Sequence, residues 1–111
     1  MGGARPGELE VLVLMSAMRL GTDEAYAVSI VKDIEKRTGR VLRRGNVYTL
    51  LQRLETRGFV TTRIGPARAE RGGKGRRLVT VEATGVAAVR EAAGAMAAMA
   101  KGLEAQLEPG T

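Results

Sequence analysis

The stretch RRGNVYTLLQRLETRGFV, residues 43–60, sets an apolar stripe beside uncharged polar side chains and a string of arginines. Val47, Leu50, Leu51 and Leu54 recur at the three-and-four spacing of an amphipathic helix, and Gly58 supplies its stop. Asn46, Thr49 and Arg53 then lie away from the stripe, with Tyr48 and Gln52 flanking it. A soluble face made of hydrogen-bonding groups suits a helix that meets a partner.

The surrounding charge says what kind of partner. Across the whole chain, 18 Lys and Arg stand against 12 Asp and Glu, a net charge of +6. From Arg40 to Arg77 there are eleven basic and two acidic residues, while the remainder carries a net of −3. Any anion-binding surface is thereby confined to the middle third of the chain.

Upstream, Pro6 and Gly7 precede ELEVLVLMSAMRLG, where Leu9, Leu12, Val13 and Ala17 follow helical spacing and Gly21 marks the end. Val11, Leu14, Met15 and Met18 make its other side apolar too, which calls for a second covering surface beyond the domain's own core. Thr22 or Asp23 is the expected cap of a second helix over EAYAVSIVKDIEKRTG, with Ala27, Ile30, Val31 and Ile34 inward and Ser29, Lys32, Asp33 and Lys36 outward. Gly39 ends it.

Downstream the period changes. FVTTRI and RLVTVE are short and β-branched and flank the turn-rich GPARAERGGKGR, which predicts a hairpin with a long basic tip. From about residue 85 to residue 107 the chain is alanine-rich, and Val86, Val89, Ala93, Met96, Ala100, Leu103 and Leu107 repeat as a heptad seam. A continuous helix over that span would run about 35 Å, long enough to pack on a second subunit.

The 111 residues suffice for one compact domain with a modest core. The expected division is a globular part that carries the basic segment over residues 1–84 and a long helix and tail that pack on a second copy over residues 85–111. Cysteine and histidine are absent, which removes disulfides, thiolate nucleophiles, imidazole bases and the common zinc sites. No metal or other cofactor is expected, and an enzyme has little to work with. The apolar run VLVLMSAM is well short of the roughly 20 residues of a membrane span. The opening MGGARPGE has no secretory pattern, so a cytoplasmic location with no membrane partner is the expectation.

Helix, helix, helix, hairpin and long helix, with charge on the third helix and the hairpin, predict a mainly α fold, a winged helix-turn-helix. The third helix would enter the major groove of double-stranded DNA and the basic wing would lie along the backbone. Arg44, Asn46, Thr49, Gln52 and Arg53 are the candidate base or near-base contacts. Tyr48, Arg68, Arg71, Lys74, Arg76 and Arg77 are the candidate phosphate contacts. Tyr48 could equally pack on the second helix, and Arg53 and Arg57 could pair with Glu55 or Asp33. Leu14, Met18, Val89, Ala93, Met96, Ala100, Leu103 and Leu107 are the candidate homodimer interface. A protein-interaction adaptor with an incidental basic face is the alternative.

The chain resembles the PadR family of bacterial transcription regulators in its short form. The resemblance rests on GELEVLVLMSAMRLG, AYAVSIVKDIEKRTG, the Gly-x-x-Tyr and Leu-x-x-Leu-x-x-x-Gly spacing of the opening stretch, and GRRLVTVEATG. It implies a homodimeric repressor released by a small molecule or another signal. Ala27 stands where the family usually has glycine, Leu78 and Val79 where wing tyrosines are common, and Glu82 where threonine is usual. The final helix offers alanine and methionine where some short members stack flat ligands on an aromatic, so no effector is named.

Overall fold

The apolar periodicities resolve into seven elements in a computed structural model that describes residues 5–66 and 75–110. Helix α1 runs Glu8–Leu20, α2 Ala27–Thr38 and α3 Arg44–Thr56. Strands β1 (Val60–Ile64) and β2 (Arg77–Val81) follow, then α4 (Ala83–Ala100) and the single turn α5 (Glu104–Leu107). None of the described helices is long and apolar enough to cross a membrane.

One core joins these elements. Val13, Leu14 and Ala17 of α1 meet Ala27, Ile30 and Ile34 of α2 and Val47, Leu51 and Leu54 of α3, with Val60, Val79 and Val89 closing the far side. Both apolar sides of α1 thus contribute to the protomer's own core, since Leu14 is fully buried. Ser16 is buried in the same helix and donates to Asp33 Oδ2 at 2.7 Å. Asp33, expected on the outer face of α2, is turned inward and also meets Arg37 at 2.9 Å and Arg19 at 3.6 Å. Burial pushes its carboxyl up, but the Ser16 hydroxyl and the two guanidiniums outweigh that and hold it below its ordinary value.

Helix α2 starts later than either expected cap. Residues 22–26 instead form a turn, with the Glu24 and Ala25 amides donating to Gly21 O at 3.1 and 2.9 Å. Tertiary bonds to the hairpin compete for this segment. The Ala25 carbonyl accepts from Val79 N at 2.8 Å, the Thr22 and Thr80 hydroxyls are bonded to each other, and Arg63 reaches Asp23 at 2.8 Å. The Tyr26 amide then donates to Ser29 Oγ at 3.0 Å, which caps the helix from within. Gly39 ends α2 in the left-handed region, φ 77°, as expected.

The strands pair antiparallel with Val60 opposite Val81 and Thr62 opposite Val79. That register turns Val60 and Val79 into the core and leaves Thr61 and Arg63 outside. Glu82 stands at the cap position of α4 without a side-chain bond to the helix, its carboxylate accepting instead from Thr61 Oγ1 at 2.7 Å, and Thr84 donates to Gly58 O at 2.6 Å. Gly85 packs under β1, where a Cβ would overlap the Phe59 carbonyl oxygen. The continuous helix expected to residue 107 stops at Ala100, about 27 Å after its start. Gly102, φ 92°, takes a conformation other residues avoid and re-aims α5.

Candidate nucleic-acid interface

Helix α3 owes its exposure to the single stripe that anchors it. Val47, Leu51 and Leu54 are buried and Leu50 half-buried, so Arg44, Asn46, Tyr48, Thr49, Gln52 and Arg53 all stand in solvent. Tyr48, 47% exposed, keeps about half of its surface in solvent. Thr49 Oγ1 donates to Gly45 O at 3.2 Å, which satisfies its proton and leaves its lone pairs outward as acceptors. Arg43, Arg44 and Arg53 make no ion pair among the described residues. They are free to meet an anion.

The hairpin borders one flank of α3. Thr62 Oγ1 donates to Glu55 Oε2 at 2.9 Å and accepts from Arg77 Nη1 at 2.9 Å. This relay ties the wing to the helix and holds the exposed Arg77 beside Tyr48 and Gln52, across a small cleft of about 140 Å³. Arg76 differs from its expected role. Its guanidinium lies over the Tyr26 ring at 4.6 Å, with Nε and Nη1 buried and without a hydrogen-bond partner. It braces the base of the wing against α2 rather than projecting outward. Arg68, Arg71 and Lys74, the expected tip contacts, lie outside the described residues.

On the opposite flank the segment ahead of α1 approaches. Glu10 accepts from Gly7 N at 2.8 Å and faces Arg57 at 3.7 Å, while Arg57 lies over the Phe59 ring at 4.9 Å. Arg57 thus pairs with neither Glu55 nor Asp33. Arg5 forms an ion pair with Glu91 of α4 at 2.9 Å. The sequence carried no sign of Arg5 or Thr62 at this face, because both are brought there by contacts between distant segments; Glu55 lies on α3 itself, and the fold gives it Thr62 as a partner in place of an arginine.

Away from this face, α4 and α5 leave Met96, Met99, Leu103 and Leu107 exposed, and Met18 of α1 is exposed as well. Ala93 is exposed and Ala100 half-buried. Two members of the expected interface are corrected. Leu14 is 0% and Val89 7% exposed, both inside the protomer's own core, so neither can present a surface to a second copy. Helical spacing marks an apolar face without saying what covers it.

The sequence pattern of the transcriptional regulator PadR-like family matches residues 15–91, well over half of the chain. No curated protein matches. Among solved structures, a PadR family transcriptional regulator from Eggerthella lenta is 23% identical, with a TM-score of 0.66 over 92% of this chain and 88% of that one. A PadR-like transcriptional regulator from Bacillus cereus is 17% identical, with a TM-score of 0.69 over 90% and 91%. A transcriptional regulator from Clostridium thermocellum is 16% identical, with a TM-score of 0.68 over 90% of each chain. At these identities the likeness establishes the fold, a helical domain with a hairpin wing and a C-terminal helix. Sequence pattern and fold agree, and the chain belongs to the PadR-like family of transcriptional regulators.

Proposed function

We propose that this chain is a cytoplasmic, sequence-specific DNA-binding repressor that acts as a homodimer and occludes a promoter until an effector releases it. Residues 1–84 bind the duplex and residues 85–111 dimerise. The reading is carried by one observation: the outer face of α3 offers Asn46, Thr49, Gln52 and Arg53 together, unburied, beside arginines that no carboxylate neutralises among the described residues.

Those side-chain types match base edges. Asn and Gln amides pair with adenine and Arg with guanine in the major groove, while Thr serves either. Arg44, Tyr48 and Arg77 flank that row and fix its register on the phosphates, joined by Arg68, Arg71 and Lys74 of the wing tip. Arg76 contributes by bracing the wing at Tyr26. A two-fold dimer through Met96, Met99, Leu103 and Leu107 would present two α3 helices to successive turns of the groove.

The test is a gel shift and footprint on the DNA upstream of the chain's own gene, over a series of salt concentrations. Protection on one face of the duplex, with affinity falling steeply as salt rises, is expected. An apolar partner held by α4, with no duplex binding at low salt, would instead favour an adaptor.

A further inference from the structure

The cleft between the segment ahead of α1 and the outer flank of α3 measures about 500 Å³. Its walls are Thr49, Gln52 and Thr56 of α3, and its charges are Arg5, Glu10, Arg53 and Arg57. Glu10 and Arg57 face each other at 3.7 Å and cancel. That leaves two positive charges, Arg5 and Arg53, on separate elements. Among the described residues Arg53 has no ion pair and Arg5 is held only by Glu91, with the Arg5 and Glu91 side chains 72% and 59% exposed. A pair so exposed has little net worth in water. The Arg5 guanidinium can change partners at small cost.

The cleft shares Thr49 and Gln52 with the face assigned to base contacts, and Arg77 stands on the other side of that face. A helix seated in a major groove about 12 Å wide has a phosphodiester backbone along each flank. One backbone therefore passes the wing and the other passes the cleft. The cleft is open to solvent, with Arg53 unpaired among the described residues and Arg5 in an exposed, exchangeable pair on a separate element, which suits a strand of phosphates running past better than a small anion enclosed by donors.

We propose that this cleft receives the phosphodiester backbone of duplex DNA on the side of α3 away from the wing, and that Arg5 leaves Glu91 to bind a phosphate there. The proposal rests on the DNA-binding reading above. It adds a contact outside the basic middle third of the sequence. It also makes Glu91, on the helix assigned to dimerisation, a competitor of DNA for one cation.

Duplex binding of the parent, Arg5→Ala and Glu91→Gln, measured by fluorescence anisotropy over a salt series, tests it. Arg5→Ala is expected to lower the slope of log affinity against log salt by about 0.9, equally on all sequences, since one phosphate contact and its released counterion are lost. Glu91→Gln breaks the same ion pair but frees Arg5, so it keeps the parent's slope and raises affinity by up to about fivefold. Thermal unfolding of both variants should match the parent. If Arg5 only clamps the segment to α4, both variants weaken binding alike, and the proposal falls. A parent that binds duplex DNA with an Arg5→Ala variant of unchanged slope overturns the proposal alone; a parent that binds no duplex overturns the DNA-binding reading with it.

Discussion

Replacing Met96 and Met99 together by alanine should separate the proposed dimer and leave the protomer folded. The two side chains are 70% and 76% exposed in the protomer, so neither supports its own core. Fully burying a methionine side chain is worth roughly 1.5–3 kcal/mol. Scaled to the surface still exposed, and after discounting the carbon that alanine keeps, each truncation forfeits about 1–1.5 kcal/mol at a covered interface. Two-fold symmetry applies both losses twice, which gives about 4–6 kcal/mol per dimer. At about 1.4 kcal/mol per tenfold, the dimer constant weakens by roughly three to four powers of ten. Sedimentation equilibrium measures that constant, and circular dichroism of the same samples should show the parent's helix content, because alanine favours a helix at least as well as methionine. A double variant that kept the parent's dimer constant would refute the assignment of this face and move the interface to Met18 and the exposed side of α1.

Three further outcomes are expected. Asp33 has an ordinary value of 3.8 and is held below it in the folded state, so its contribution is fully present above that value and disappears as pH falls through the lower folded value. The stability difference between parent and Asp33→Asn, from denaturant unfolding, should therefore be flat above about pH 5 and shrink below pH 4. Thr62→Val removes both the Glu55 and the Arg77 bonds. It should weaken binding to every duplex by about two- to tenfold through lost preorganisation while keeping the salt slope, as anisotropy would show. Gly45 sits in α3 with open space where a Cβ would go. Gly45→Ala should stabilise the free protein by about 0.5–1 kcal/mol in thermal unfolding yet bind DNA more weakly, since the added methyl stands on the approaching face.

What the sequence disclosed was whatever short-range pattern encodes. The stripe of Val47, Leu51 and Leu54 marked α3 and its outer face, and the β-branched runs around the glycine-rich tip marked both strands. Features set by distant partners were illegible. The start of α2 moved because Thr22, Asp23 and Ala25 bond to the hairpin, and Asp33 turned inward to a serine 17 residues away. Heptad spacing could not separate Val89, which the protomer buries, from Met96, which it does not. The weak point of the seam was legible as a glycine: Gly102, at φ 92°, is where the helix breaks before Leu103 and Leu107, whereas Gly94 stays within α4. At the candidate site the row on α3 was readable from helical period alone. The Glu55–Thr62–Arg77 relay and the Arg5 flank needed the folded chain.

Base reading by α3 from a two-fold dimer is tested most directly by selecting binders from a random duplex library with the parent chain and with Asn46→Ala. The parent should enrich an inverted repeat whose half-site centres lie one helical turn apart, about 34–36 Å, and the variant should lose preference at one position in each half-site. Sequences no richer than the input library, or the same repeat enriched undiminished by Asn46→Ala, would contradict it.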